Sequence, residues 1–316
     1  PRFYLDKINA PVFDFRSPNF TALYKQKRPN LVLSVLGNFS QSFIFRKSIL
    51  FVKSKIEEYR PDAVINFYEM ITGVAFRTYR FDKKLNVKLI SIAHQYMLLN
   101  PKYKTTSEQD IKYYFLRMIT KVTCQCSSKI LALSFRDMPG SLEKNLVVVP
   151  PLLRQEVFEN EPVDGNYIHG YMINTGYYEE VLDWHTKNPH VPLRFFWDKK
   201  DADEVTVIDD NLLLYRINDD LFLKSMAGCM AYSTTSGFES VCEALYYKKP
   251  ILMIPVHVEQ EFNAYDASLS GAGISSTKFK LNKLLNFLPH YRPDENFRDW
   301  VHQAEERFIR EICGVD

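Results

Sequence analysis

The sequence predicts an α/β protein built of two domains that face each other across a cleft. Short apolar runs rich in β-branched residues alternate with longer segments of helical periodicity, a pattern typical of βα units and parallel sheets. The 316 residues exceed one ordinary core and fit two domains of roughly 150 residues each. The stretch "PPLLRQEVFENEPVDGN", rich in proline and acidic residues, separates two such series and is the expected linker.

The first series predicts a domain over residues 1–151. Its strands are expected at residues 31–35, 63–66, 88–92, 130–134 and 146–149, and its helices at residues 42–59, 70–79 and 108–123. Pro61 follows the first of these helices. Because proline cannot continue a helix, we expect the chain to become extended there before the next strand.

The second series predicts a domain over residues 152–293. Its strands are expected at residues 167–172, 193–197, 212–215, 229–232 and 251–254, and its helices at residues 178–187, 219–226, 237–247 and 259–269. The tail, residues 294–316, carries apolar residues at helical spacing between positions 297 and 312 and is expected to pack as a helix.

Composition excludes several classes of function. With 46% hydrophobic residues, 25% charged residues and a formal net charge of +2, nothing suggests a nucleic-acid partner. No apolar run reaches membrane-spanning length and no signal peptide is evident, so a cytoplasmic protein is expected. The five cysteines are odd in number, and Cys124 and Cys126 lack a second pair, so we expect reduced thiols and no metal site. Because the chain opens at Pro1 without methionine, the start of a longer natural protein is expected to be missing.

The segment "STTSGFESVCEALYYKKPILMIP", residues 233–255, predicts a ligand site. A polar turn precedes a helix that begins near Gly237, and the N–H groups of a helix N-terminus at the carboxyl edge of a parallel sheet suit a phosphate. The hydroxyls of Thr234, Thr235 and Ser236 could add hydrogen bonds. The alternative is plain helix capping, with Ser236 and Glu239 forming a capping box.

Two acidic residues share one face of that helix. Glu239 and Glu243 are four positions apart, which is mildly repulsive unless one of them binds something. A carboxylate that accepts two adjacent ribose hydroxyls would explain the pair. The alternative makes Glu239 a solvated first-turn acid and leaves only Glu243 inside.

A second polar group, "HVEQEFNAYDASLSGAG", follows the strand predicted at residues 251–254. Glu259, Gln260 and Asn263 present one acceptor and two amides, which suits a sugar rich in hydroxyls. Glu259 equally fits the acidic first turn of a helix.

The pattern "SGFESVCEALYYKKPILMIP...EQEFNA...SGAGI" resembles the donor-binding segment of GT-B glycosyltransferases, in the branch of the peptidoglycan GlcNAc transferase and the UDP-glycosyltransferases. The resemblance is close over residues 233–273 and looser over the two-domain layout. It implies two Rossmann-like domains, with the nucleotide-sugar against the C-terminal one, the acceptor entering from the N-terminal one, and the final helix packing back toward the N-terminal domain.

The resemblance also implies roles for single residues. Ser236 and Gly237 would meet the diphosphate, Glu243 would hold the ribose, and Gln260 with Glu259 would read the transferred sugar. By position, Asn174, Thr175 and Gly176 correspond to a second turn that contacts a phosphate in relatives. Arg216 to Asn218 correspond to the segment that runs past the nucleobase in relatives. Relatives that retain the anomeric configuration carry a glutamate eight positions before the residue that matches Glu243, and this chain has Thr235 there. The resemblance therefore favours an inverting hexosyltransferase. It also implies a UDP-sugar donor and neither a cofactor nor a metal.

Inverting transfer needs a general base near the acceptor hydroxyl. His94, at the carboxyl end of the strand predicted at residues 88–92, is one candidate, because imidazole titrates near neutral pH. A hydrogen-bonded structural histidine is the alternative. Glu69, after the strand at residues 63–66, is the second candidate base, and Gln95 could orient an acceptor. Relatives carry a glycine-rich loop after their first strand, and none precedes Pro11 here.

Two further functions and one further partner stay open. A sugar-nucleotide epimerase of the same fold and a non-catalytic nucleotide-sugar binding protein are the alternative functions. The acceptor is expected to be a glycan, a lipid-linked molecule or a small molecule. Residues 112–122, "KYYFLRMITKV", mix aromatic and cationic side chains at helical spacing, which fits peripheral contact at the inner face of a membrane or a core-facing helix with extended lysines.

Overall fold

The computed structural model describes residues 8–18, 41–78, 87–103, 111–172, 175–199 and 201–314. Within these ranges the chain forms two separate sheets, of four and seven strands, with helices packed on them. The predicted α/β class is therefore confirmed. The strand predicted at residues 31–35 lies outside the described residues.

The first sheet is parallel and has the strand order β1-β2-β3-β4. Its strands are β1 (Ala63–Asn66), β2 (Lys88–Ala93), β3 (Lys129–Leu133) and β4 (Leu146–Val149); the helices around it are α1 (Ser42–Tyr59), α2 (Met70–Thr78) and α3 (Ile111–Thr123), with 3₁₀ turns at His94–Leu99 and Leu142–Lys144. Five consecutive residues of β2 are buried, as expected of a parallel strand covered on both faces.

The second sheet has the order β11-β10-β9-β5-β6-β8-β7 and is parallel except for the edge strand β7. Its strands are β5 (Ile168–Met172), β6 (Leu193–Trp197), β7 (Val205–Asp209), β8 (Leu212–Arg216), β9 (Ala231–Thr234), β10 (Ile251–Met253) and β11 (Gly273–Ser275). The accompanying helices are α4 (Gln155–Glu159), α5 (Tyr178–Lys187), α6 (Asp219–Ala227), α7 (Phe238–Tyr246), α8 (Val258–Leu269), α9 (Leu281–Phe287), α10 (Phe297–His302) and α11 (Ala304–Cys313), with 3₁₀ turns at Thr175–Tyr177 and Leu288–His290.

Several elements differ from the sequence-based expectations, among them the helices α4 and α9, which were not predicted. The strand predicted at residues 229–232 is displaced to Ala231–Thr234, because its ends are set by pairing with β5 and β10, and Ser233 and Thr234 are buried despite their polarity. The edge strand β7 and the three-residue β11 were not predicted, since both are short and β7 is almost wholly exposed. The tail forms two helices rather than one, and they meet at Gln303.

The two sheets are joined by a continuous apolar core. One buried cluster contains Tyr96 from the first half together with Phe262 and Trp300 from the second. The tail returns to the first sheet, where Phe308 packs against Ile90 and neighbouring β-strand residues. The indole Nε1 of Trp300 also donates to the carbonyl of Ser134 over 2.9 Å. The domain boundaries at residues 151 and 293 stay predictions.

Candidate active site

Strand order places the predicted ligand turn at the switch point of the second sheet. Strands β6, β8 and β7 lie on one side of β5, and strands β9, β10 and β11 lie on its other side. In open parallel sheets, ligands bind where the strand order reverses, outside the carboxyl ends of the strands. That place here is the crevice between the ends of β5 and β9.

The turn after β9 leaves a helix N-terminus uncapped. Ser236 has a left-handed backbone with φ of 66°, and Gly237 is the N-cap residue in extended conformation. No side chain caps α7 among the described residues, and the amides of Phe238 and Glu239 have no acceptor there. The capping box that would have accounted for Ser236 and Glu239 does not form, so the partial positive charge of this helix end is available to an anion.

Several buried hydroxyls surround this turn without a protein partner. The Oγ atoms of Ser233 and Ser236 and the Oγ1 of Thr234 make no hydrogen bond to the described residues, and all three residues are fully buried. Thr235 is also buried. From α8, the Nδ2 of Asn263 donates to the Ser236 carbonyl over 3.2 Å, while its Oδ1 has no partner within the described ranges. Buried polar atoms are rarely left this way except at functional sites.

The two acids of α7 lie in different environments. Glu239 is exposed, whereas Glu243 is buried. The Nε of Arg154, from the linker, lies 2.7 Å from Glu243 Oε1, and Arg154 also contacts Asp219 at 3.4 Å. Burial raises the pKa of Glu243, while its hydrogen bond to Arg154 opposes this effect. The arrangement fits the alternative in which only Glu243 is internal.

The start of α8 connects the two halves of the molecule. The Nε2 of Gln95, from the first half, donates to Glu259 Oε1 over 2.6 Å. Gln260 is buried, and its Oε1 accepts the backbone N–H of Val256 at 2.9 Å. Glu259, Gln260 and Asn263 therefore lie at the gap between the halves, on the same edge as the Gly237 turn.

His94 lies at the same gap, but it is enclosed. Its ring stacks between Phe238 and Phe262, at centroid distances of 4.2 and 4.8 Å, and only 1% of the residue is exposed. The Nδ1 lies 2.8 Å from the Leu133 carbonyl, and the Nε2 lies 3.6 Å from Asp266 Oδ2. Burial lowers the pKa of His94, an effect that Asp266 only partly offsets. In this conformation no acceptor hydroxyl reaches the ring, and the catalytic role of His94 stays a prediction.

Glu69, the second candidate base, lies at the start of α2. Its Oε1 accepts the backbone N–H of Ile71 at 2.8 Å and the hydroxyl of Ser17 at 2.6 Å. The adjacent Tyr68 has a left-handed backbone, and its ring packs on Tyr96 of the interdomain core. Glu69 is half-buried, in contrast to the fully enclosed His94.

The remaining predicted residues are less closely associated with the turn. Asn174 lies outside the described residues, Thr175 begins a 3₁₀ turn, and Gly176 is exposed. Arg216 ends β8 and lies 3.8 Å from Glu204. Asn218 caps α6 by accepting the N–H of Leu221 at 3.0 Å, which is a structural role.

Sequence reasoning missed the residues that close the gap. Arg136 from the first half pairs with buried Asp266 of α8 at 2.7 Å, and Arg154 from the linker pairs with Glu243. No local pattern marks either arginine, because each partner is about 90 or more positions away in sequence. The stacking positions of Phe238 and Phe262 looked like ordinary core residues for the same reason.

Two α/β halves facing each other, with an uncapped helix N-terminus at the switch point of the second, define the GT-B class of glycosyltransferase fold. The family model described as "Glycosyl transferase family 1" matches residues 10–291, so the chain belongs to that family and is a glycosyltransferase. The resemblance noted from the sequence is confirmed.

Solved structures agree with this fold. The chain is similar to Arabidopsis thaliana UGT89C1 complexed with UDP-L-rhamnose, with a TM-score of 0.60 and 14% identity over 99% of this chain and 89% of that one. It is also similar to Phytolacca americana UGT2 complexed with UDP-2fluoro-glucose and pterostilbene, with a TM-score of 0.55 and 12% identity over 84% and 76% of the two chains. At these identities the likeness establishes the fold alone. A search of curated protein sequences finds no match to the chain.

Proposed function

We propose that the protein transfers a hexose from a UDP-sugar to a hydroxyl acceptor, with inversion at the anomeric carbon. The observation that carries this proposal is the turn at Ser236 and Gly237, where backbone amides and buried hydroxyls find no partner in the part of the chain that the structure describes. A diphosphate offers such groups the charged acceptors they need. The absence of an acid at Thr235 supports the inverting course.

In the proposed reaction the acceptor oxygen attacks the anomeric carbon as the bond from that carbon to the diphosphate oxygen breaks. The N-terminus of α7 stabilises the negative charge that develops on the leaving diphosphate. Glu243, held by Arg154, accepts hydroxyls of the ribose, while Gln260 and Glu259 orient the sugar. Asn174, Thr175, Gly176, Arg216 and Asn218 stay proposed contacts for the second phosphate turn and the base.

The general base takes the acceptor proton as the new bond forms. The burial of His94 favours Glu69 for this role, and His94 is the alternative if Phe238 and Phe262 separate during turnover. The acceptor is proposed to be a glycan, a lipid-linked molecule or a small molecule. The structures of Arabidopsis thaliana UGT89C1 complexed with quercetin and of Phytolacca americana UGT2 complexed with pterostilbene support a small hydroxylated acceptor.

A non-catalytic nucleotide-sugar binding protein is the second candidate, because His94 is enclosed and Glu69 Oε1 already accepts hydrogen bonds from Ser17 and the backbone of Ile71. An epimerase of this fold would use the donor site without any acceptor. Incubating the full chain with a panel of nucleotide-sugars separates the three functions. Transfer or donor hydrolysis supports the transferase, an epimerised donor supports the epimerase, and binding without turnover supports the binding protein.

Substitution of Gly237 by alanine tests the diphosphate position. A Cβ at this position meets only Ser240 Oγ at 3.7 Å, and the backbone φ is −64°, so the fold should tolerate Gly237→Ala. The added methyl would stand between the amides and a phosphate, and we expect weaker UDP binding at unchanged melting temperature. In the parent protein, UDP at 100 times its dissociation constant should add about 2.7 kcal/mol of stability. Equal UDP binding by parent and variant would refute this placement.

The proposed function includes peripheral contact with a membrane, through the outward face of α3. No helix among the described residues is both long enough and apolar enough to cross a bilayer.

A further inference from the structure

The outermost strand of the second sheet, β7, pairs with β8 alone among the described strands. The N–H of Arg216 in β8 donates to the carbonyl of Glu204 over 3.0 Å. Opposed residues of an antiparallel pair alternate between those that exchange hydrogen bonds and those that do not, so Thr206 also bonds β8. The N–H and C=O groups of Val205 and Val207 therefore point away from the sheet.

The side chains of β7 are open to solvent as well. Val205, Val207 and Ile208 are 40%, 64% and 37% exposed. Natural sheets usually protect an edge with a lysine or proline in the strand, or with a covering segment. The run Val-Thr-Val-Ile has neither residue, and no described part of the chain covers it. The register shift that follows Val207 limits the regular free edge to residues 205–207, and such an edge is a template for an extended segment.

The free edge is held in place by the rest of the domain. The Oδ1 of Asp209 accepts the N–H groups of Asn211 at 2.9 Å and of Leu212 at 2.8 Å. The Nδ2 of Asn211 donates to the Pro189 carbonyl over 2.9 Å. The Oδ2 of Asp209 lies 2.7 Å from the Nε2 of His185 and so attaches the hairpin to α5. A strand that is already ordered loses little freedom when a partner pairs with it.

Carboxylates flank the edge at both ends. The flanking side chains are all exposed and acidic: Asp201, Asp203, Glu204, Asp209 and Asp210. Arg216 lies 3.8 Å from Glu204, and His185 contacts Asp209, while the other three carboxylates have no cation within ion-pair distance among the described residues. Lys199, near the start of the edge, lies over the ring of Trp197 at 5.0 Å. The edge therefore presents negative charge to a partner.

We propose that β7 binds an extended segment of another polypeptide, which adds a strand to the second sheet and carries lysine or arginine on either side of a short apolar run. Backbone bonds to Val205 and Val207 supply the pairing, and the flanking cations meet the carboxylates. A second copy of this chain is a poorer occupant. Twofold antiparallel pairing of β7 with itself would set the acids before one strand against the acids after the other.

The proposed partner site is separate from the donor site. Strands β6 and β8 separate β7 from the crevice between β5 and β9, so a segment bound at β7 leaves that crevice uncovered. The inference therefore does not depend on sugar transfer.

Fluorescence polarisation with a labelled synthetic peptide tests the proposal. The probe is Arg-Lys-Val-Thr-Val-Thr-Lys-Arg, and a control probe has glutamate in place of each lysine and arginine. We expect saturable binding of the basic probe to the full chain at about 0.1 M salt, weaker binding at about 0.5 M, and no binding of the acidic probe. Hydrogen exchange in residues 204–208 should slow when the basic probe is bound.

Substitutions of Val207 test the pairing itself. Val207→Pro removes an outward N–H without breaking a bond to β8, and it should weaken probe binding about fivefold or more. The matched variant Val207→Thr keeps that N–H and should bind like the parent protein. Val207→Lys keeps every bond to β8 but places a lysine on the edge, so it should also weaken binding. This last variant decides the question if proline unfolds the hairpin.

A pair of charge variants tests the flanking acids. Asp203→Asn with Asp210→Asn should weaken binding by roughly 1.4- to 5-fold per carboxylate. Glu305→Gln with Glu306→Gln changes the net charge by the same amount on α11 and should leave probe binding unchanged. Thermal melting of each variant checks the fold, and donor hydrolysis should match the parent protein in all of them.

Three results would overturn the proposal while the transferase assignment stands. They are the absence of saturable probe binding, equal binding of the acidic probe, and equal loss in the α11 control. Self-association of the chain that disappears in Val207→Lys would overturn it in favour of a dimer interface.

Discussion

Replacing Ser236 by alanine should make the protein more stable and a weaker donor binder at the same time. The Ser236 hydroxyl is fully buried and has no partner among the described residues, so it carries a desolvation cost without a compensating bond. Such an atom costs about 1–3 kcal/mol. Alanine and serine both tolerate the left-handed backbone at φ of 66° equally poorly, so the substitution isolates the hydroxyl.

In the donor complex the same hydroxyl should donate to the diphosphate. A hydrogen bond to a charged group contributes about 1.5–3 kcal/mol, which corresponds to a rise in the UDP dissociation constant of roughly 10- to 150-fold. Urea unfolding measures the stability of Ser236→Ala, and titration calorimetry measures its affinity for UDP. Both effects are expected together because buried polar groups at functional sites trade stability for binding.

Thr186→Ala is the matched control for loss of a hydroxyl. Thr186 is exposed, and its Oγ1 donates to the Leu182 carbonyl in its own helix at 2.9 Å. Its removal should change stability by less than about 0.5 kcal/mol and leave UDP binding unaltered. The reasoning fails if Ser236→Ala destabilises the protein, or if it binds UDP as tightly as the parent.

Three other substitutions test the buried charge pair, the stacked rings and the general base around the site. Arg154→Met should destabilise the protein by about 1–3 kcal/mol near pH 7, less than for a fully buried pair because Arg154 is about one-third exposed. Burial raises the pKa of Glu243 in the folded protein, and loss of the Arg154 hydrogen bond should raise that pKa further in the variant. The deficit in stability should therefore grow as pH rises through the raised pKa of Glu243 in the parent protein, and it should shrink below that pKa. A pH-independent deficit in urea unfolding would be the contrary result. His94→Phe keeps a ring between Phe238 and Phe262 but leaves the Leu133 carbonyl unpaired, so we expect a modest loss of stability with kcat retained. Glu69→Gln should lower kcat for sugar transfer by roughly 10²–10⁴, measured in the same assay as His94→Phe. A large loss of kcat in His94→Phe with kcat retained in Glu69→Gln would assign the base to His94.

The order of most elements and the position of the turn before α7 could be predicted from the sequence. Alternating βα periodicity reports on short stretches of chain, and it located most strands and helices of both sheets. The glycine and hydroxyl residues before α7 also form a local pattern, so the turn at Gly237 and the acids of the two helices could be named in advance. Local chemistry is enough to place a helix start.

Contacts between distant parts of the chain could not be predicted. Whether His94 is an accessible base or an enclosed ring depends on Phe238 and Phe262, more than 140 positions away. The pairing of Arg154 with Glu243 depends on how the linker crosses the second domain. Periodicity identified α3 as an amphipathic helix but could not tell which of its sides would face the core. A row of apolar residues at helical spacing suits burial in the core and contact with a membrane equally well. The sequence by itself determined the local elements and the chemistry they carry, whereas tertiary packing decided which of those groups are buried, paired or presented to a partner, since burial is a property of neighbours that the local pattern does not contain.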